Sequence, residues 1–159
     1  MKVLFLDFDG VLNSHAYFAS RQYRKGADKC EFVRGSEHFM LDPVCVHRLN
    51  WIVTTTGADV VVSSSWRHGY SLGDLAVILS RRGFTGRLVG KTDDFVASAT
   101  ERGHEIAAWL ERHKTLVERF VVLDDNSDMD GVRDCFVQTS AAVGLTREDA
   151  MRAIQILGA

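Results

Sequence analysis

Three short apolar runs, VLFL at 3–6, VVV at 60–62 and FVVL at 120–123, each break off into a polar cluster. None of them alternates apolar with polar residues, so each is a strand buried on both faces. Strands of that kind belong to a parallel sheet, and parallel neighbours require crossovers long enough to hold a helix. The intervening segments supply them. Residues 42–57 carry Asp42 as an N-cap, Pro43 in the first helical turn and Gly57 as the stop, which predicts a helix. Val44, His47, Leu49, Trp51 and Ile52 are expected to form its inner face. Residues 71–83 form a helix stopped by Gly83, and 101–113 a helix with Ile106, Trp109 and Leu110 on one side. Residues 145–157 close the chain, with Thr146 and Asp149 resembling a capping box. RLVG (87–90) and CFVQT (135–139) read as further strands, and residues 14–41 as irregular. The expected fold is α/β, a three-layer αβα sandwich around a central parallel, Rossmann-like sheet.

In such a sheet ligands bind beyond the carboxyl ends of the strands, so the polar clusters carry the functional information. The first run ends in Asp7 and Asp9, the second in SSSWR (63–67), the third in DDNSD (124–128), and RLVG runs into Lys91. Asp7 and Asp9 point the same way if the extended backbone continues. With Asp124 and Asp125 close by, these carboxylates repel one another unless a hard dication sits among them, and Mg²⁺ takes oxygen ligands and pairs naturally with phosphate. Ser63, Ser64 and Ser65 offer hydroxyls and turn N–H groups for phosphoryl oxygens. Arg67, Lys91 and Arg102 are the candidate cations. Arg102 opens a helix, where the macrodipole disfavours a positive charge, which argues for a use other than decoration.

Composition limits the alternatives. A chain of 159 residues, 46% apolar and 25% charged, suits one domain with one sizeable core, taken here as 1–159. A net charge of −2 advertises no global field for nucleic acid or membrane. No run approaches the roughly 18 apolar residues of a membrane span, and the first apolar run is too short for a signal peptide. Three scattered cysteines, Cys30, Cys45 and Cys135, fit a reducing compartment, so a cytoplasmic address is expected. GRLVGKT (86–92) misses the P-loop register because residue 85 is Thr. NSDMDG (126–131) lacks the Glu an EF-hand needs at its twelfth position, where Val137 stands. Cys30, His38, Cys45 and His47 lack the spacing of a zinc site.

DFDGVLN at the first strand end resembles the DxDG[VT]L motif of the haloacid dehalogenase superfamily of aspartate-nucleophile phosphotransferases. VVVSSSWR is similar to its second motif and VVLDD to its fourth, while Arg102 in RGHEI, or Lys91, fits the third. The order SSSWR, RGHEI, LDD, GLT most resembles the phosphatase domains of RNA-repair and polynucleotide kinase-phosphatase proteins. The resemblance implies Asp7 as nucleophile and Asp9 as general acid and then base. It implies Mg²⁺ held by Asp7, Asp9 (through its carbonyl), Asp124 and Asp125. Ser63, with Ser64 as rival, would bind phosphoryl oxygens, and Arg102 or Lys91 would neutralise charge. The implied activity is a Mg²⁺-dependent phosphomonoesterase; a silent phosphate- or nucleic-acid-binding module is the alternative. Residues 14–41 have room for a flap or small cap only, so the site is expected to be open enough for a phosphate on a nucleic-acid end. Their aromatic and basic residues (Tyr17, Arg21, Tyr23, Arg24, Lys25) are candidates to touch bases and phosphates, or simply to cover the sheet.

Overall fold

The computed structural model describes residues 1–29, 36–92 and 102–158; Cys30, Phe32 and Glu101 lie outside them. Five parallel strands form one sheet: β1 (Lys2–Leu6), β2 (Asp59–Val62), β3 (Leu88–Lys91), β4 (Arg119–Asp124) and β5 (Phe136–Gln138). Their spatial order is β3-β2-β1-β4-β5, with every registered pair parallel. The first strand in the chain is thus the middle of the sheet, flanked by the other two long apolar runs.

Alternation along each strand sorts the core into two layers. Leu4, Leu6, Val60, Val62, Val121 and Leu123 face one way, into a cluster with Leu49, Ile52, Leu75, Ile78 and Ala153. These come from α3 (Pro43–Thr56), α4 (Leu72–Arg81) and α6 (Arg147–Leu157). Val3, Phe5, Val61 and Val122 face the other way, onto Ile106 and Trp109 of α5 (Arg102–Arg112) with Met129 and Val132. Phe5 meets Trp109 edge to face at 5.3 Å. The three-layer α/β sandwich expected from the strand pattern is the one observed.

The caps of α3 hold as read: Asp42 accepts the Val44 N–H at 2.8 Å, and Gly57 ends the helix in the left-handed region at φ 69°. Thr146 and Asp149 form a reciprocal capping box on α6. The inner face of α3 differs from the expectation. Cys45, Val46, Leu49, Ile52, Val53 and Thr56 are buried, whereas Val44 is 50% and Trp51 36% exposed, and His47 is also exposed. The i, i+3, i+4 set starting at Cys45 is a single stripe, while 44, 47 and 51 form a different one.

The segment expected to be irregular contains two short helices, α1 (His15–Phe18) and α2 (Arg21–Ala27), and a 3₁₀ turn at Ser36–Met40. Ser14 and Ser20 cap α1 and α2 by accepting the Tyr17 and Tyr23 N–H groups, each at 3.1 Å. The aromatic side chains here are spent on one another. Tyr17, Phe18, Tyr23 and Phe39 form a chain of ring contacts at 5.0–6.2 Å. Arg82, just beyond α4, staples the segment down: its guanidinium donates to the Leu41 carbonyl at 2.5 Å and to the Tyr17 hydroxyl. Tyr17 in turn donates to the Phe39 carbonyl at 2.8 Å. Arg21, Arg24 and Lys25 remain exposed on α2.

Candidate active site

The alternation that builds the core also aims the polar groups. Asp7 continues the Val3, Phe5 series and Asp124 continues Val122, so both project on the α5 side of the sheet. There α5 begins with Arg102. Its Nη1 lies 2.9 Å from Asp7 Oδ1 and 3.0 Å from Asp124 Oδ2. One guanidinium therefore bridges carboxylates from the two central strands. Arg102 tolerates its place at a helix N-terminus because Asp128 accepts its backbone N–H at 3.2 Å, bringing negative charge to that end. Gly103 is fixed by packing: a Cβ there would lie 2.4 Å from the Asp130 carbonyl oxygen. The Gly103 N–H also donates to the Asp128 carbonyl at 3.0 Å. The loop after β4 thus seats the helix that carries Arg102.

Asp7 and Asp9 do not share an environment. The strand ends at Leu6, and the backbone then curls, with the Leu12 N–H returning to the Phe8 carbonyl at 2.8 Å. Phe8 enters the core, Asp7 is 4% exposed, and Asp9 swings out to solvent. This corrects the extended geometry expected for the pair. Asp9 is nonetheless held at both oxygens: Asn13 Nδ2 donates to Oδ1 at 2.8 Å and Trp66 Nε1 donates to Oδ2 at 3.0 Å. Asn13 Oδ1 accepts the Gly10 N–H at 2.9 Å, so the same side chain closes the loop. Gly10 has φ 69°, and a Cβ on it would lie 2.3 Å from Asp125 Oδ2. Any side chain at this position would fill the space that Asp125 occupies.

Asp7, Asp124 and Asp125 each bring a carboxylate oxygen within 4.8 Å of the others. His38, Cys45 and His47 form no such group among the described residues. Asp124 Oδ1 accepts the Asn126 N–H at 2.9 Å. Burial, followed by the charge of Asp7, pushes the Asp124 carboxyl up to about 7, against the pull of Arg102. Burial likewise raises Asp7, opposed by Arg102 and by hydrogen bonds from Ser64 and the Phe8 backbone. Asp7 Oδ1, buried and 2.9 Å from Arg102 Nη1, makes no well-aligned hydrogen bond among the described residues. Two buried carboxylates, a third beside them and one guanidinium leave the cluster short of positive charge. An all-oxygen donor set of this kind fits a hard dication.

The second polar cluster divides its work. Ser63 and Ser64 are fully buried. Ser64 reaches Asp7 and caps the turn Ser65–His68 by accepting the Trp66 N–H at 3.4 Å, while the Ser63 hydroxyl has no partner among the described residues. Arg67, expected from sequence to meet substrate, lies buried behind this turn. Its Nη1 donates to the Ser63 and Ser64 carbonyls at 2.9 and 3.0 Å, and its Nη2 pairs with Glu105 at 2.6 Å. Lys91 donates to the Arg67 carbonyl at 2.7 Å. Of the two cations considered for the third motif, it is Arg102 that touches Asp7. Sequence reasoning passed over Asn13 and Trp66. Asn13, the last residue of DFDGVLN, sits at an i+4 distance from Asp9, a local signal; Trp66 reaches Asp9 only because β1 and β2 are sheet neighbours.

Fold and site together define an α/β domain of the haloacid dehalogenase type. A buried aspartate heads its central strand, and a helix-borne arginine bridges it to the acidic end of the next. The chain belongs to the family described as the HAD domain in Swiss Army Knife RNA repair proteins, whose model matches residues 3–150. Comparison with curated proteins and with solved structures gives no match for either. No helix among the described residues is long and apolar enough to cross a membrane.

Proposed function

We propose that this domain is a Mg²⁺-dependent phosphomonoester hydrolase working through a phosphoaspartate, with phosphate ends of nucleic acids or nucleotides as substrates. The observation that carries the reading is the pairing of a buried, arginine-bridged Asp7 with an Asp9 held in the open by two donors. Asp7 attacks phosphorus, forming an Oδ–P bond as the bond to the leaving oxygen breaks. Asp9 gives its proton to that oxygen. Asp9 then takes a proton from water, whose oxygen displaces Asp7 and releases inorganic phosphate. Arg102 neutralises charge on Asp7 and on the transferring group, and Ser63, with Ser64 as rival, donates to the phosphoryl oxygens, the Ser63 hydroxyl being without a partner among the described residues. Arg67 and Lys91 hold the backbone of that serine turn from behind.

Asp7, Asp124 and Asp125, with the Asp9 carbonyl, would hold Mg²⁺, which would lower the repulsion between an anionic nucleophile and an anionic phosphate. The family's association with RNA repair supports a nucleic-acid end as the phosphate's carrier, and the exposed Arg21, Arg24 and Lys25 of α2 suit a polyanion. The test is phosphate release from nitrophenyl phosphate with Mg²⁺ and with EDTA, alongside Asp7→Asn. Mg²⁺-dependent release that Asp7→Asn abolishes is expected. An inert parent protein that still binds a phosphorylated oligonucleotide would instead make the domain a binding module.

A further inference from the structure

Trp66 does two things at once. Its indole N–H holds Asp9, and its ring lines a cleft of about 420 Å³ together with Asp9, Met40, Ser65, Gly69 and Tyr70. Among the described residues lining that cleft, Asp9 is the only carboxylate and there is no cation. Trp66 stands between the buried Phe8, at 5.2 Å, and the outer Tyr70, at 5.7 Å and an inclination of 31°. Tyr70 is itself anchored, donating to Glu37 at 3.0 Å. The result is an aromatic wall that begins at the proposed proton donor and extends one ring further out.

Resting on the phosphatase reading above, we propose that this wall is the leaving-group subsite and that it takes a nucleobase. The leaving oxygen must lie near Asp9 to receive its proton, so the body of the leaving group enters the cleft Asp9 lines. An aromatic wall with no cation in it suits a flat, uncharged group and gives no welcome to a second phosphate. On this reading a base carried on a ribose 3′-phosphate, held away from phosphorus by the sugar, has the two rings Trp66 and Tyr70 to stack on. Trp66 is then also a positioning residue for Asp9, so that base stacking and proton delivery meet in one side chain.

The experiment compares kcat and KM on a 3′-phosphorylated dinucleotide, the same compound with an abasic 3′ terminus, phosphotyrosine and nitrophenyl phosphate, for the parent, Tyr70→Ala and Trp66→Phe. The parent is expected to favour the base-bearing over the abasic substrate by about ten-fold in kcat/KM, in line with stacking on an aromatic platform. Tyr70→Ala should collapse that ratio towards one, chiefly through KM. Trp66→Phe keeps a ring but loses the N–H, so it should keep the ratio. It should also lower kcat on the alkyl leaving group more than on nitrophenolate, which leaves without protonation. Calorimetric titration of the base-bearing and abasic compounds gives a readout that does not need turnover. No discrimination in either assay, retention of the ratio in Tyr70→Ala, or a preference for phosphotyrosine overturns the base subsite. Absence of turnover with base discrimination intact overturns the phosphatase reading and leaves the subsite standing.

Discussion

The substitution Gly103→Ala changes no group that touches the acidic cluster, yet it is expected to cripple the site. The new Cβ would lie 2.4 Å from the Asp130 carbonyl oxygen and 2.6 Å from the Met129 carbonyl carbon, where ordinary contact begins at 3.4 Å. Both are backbone atoms, so neither can swing aside, and the start of α5 must retreat by about 1 Å, the difference between those separations. Arg102 is the preceding residue and moves with it, away from Asp7 and Asp124. Overpacking of this kind costs about 1–3 kcal/mol of stability, and a 1 Å misplacement at a reacting group costs about 10²-fold in rate. The control is Gly73→Ala in α4, where the nearest atom to the new Cβ is Ser71 Oγ at 3.8 Å. There the usual helix preference for Ala applies, and a gain of about 0.4–1 kcal/mol is expected. Urea unfolding and phosphate release, measured on both variants, read the two effects separately. Gly103→Ala with parental activity would refute the idea that close packing against the 128–131 loop sets the position of Arg102.

Three further outcomes follow from the charges of the site. Arg102→Met strands two buried carboxylates and should cost about 3–5 kcal/mol in urea unfolding at pH 8, with a smaller loss at pH 5.5; equal losses at both would contradict the bridge. Asp124 holds its proton up to about 7 when folded, against an ordinary 3.8 for an aspartate in water. The metal-free fold therefore binds more protons than the unfolded chain between those values, and this contribution is full below about pH 4 and lost as pH rises through 7. In EDTA, Tm should fall from pH 5.5 to 8, and added Mg²⁺ should raise it more at pH 8, where no proton has to be displaced; a Mg²⁺ gain that is larger at pH 5.5 would reverse the assignment. Arg67→Met breaks the buried pair with Glu105 and frees the Ser63 and Ser64 carbonyls. It should cost about 3 kcal/mol or more and raise KM for phosphate esters, whereas a change in stability with KM untouched would sever the serine turn from phosphate binding.

The sheet and the edge where the chemistry gathers were legible because burial on both faces leaves a local signature and strand ends are local events. The caps of α3 and α6 were legible for the same reason. The burial stripe of α3 was not, since Val44, His47 and Trp51 are spaced helically too and only the sheet's position tells which stripe turns inward. Arg67 looked like a substrate cation because its burial depends on Glu105, which arrives on another helix. The divergence of Asp7 and Asp9 depends on the curl after Leu6, which the Gly10 conformation makes possible. The aromatic residues of 14–29 and Phe39 pair among themselves, a partnership of tertiary origin that composition alone leaves open.

The placement of β1 at the centre of the sheet also bears on how the protein is made. A central strand that precedes its neighbours in the chain leaves the ribosome before them and must wait, apolar on both faces, for β2 and then for β4 to be synthesised. Contacts so distant in sequence carry a large loop-closure cost and slow the late steps of folding. The bridge from Asp7 through Arg102 to Asp124 closes only when those steps are done, so no amino-terminal fragment ending before β4 can assemble the acidic cluster. During that wait the VLFL segment is an uncovered apolar run of the kind that chaperones shield.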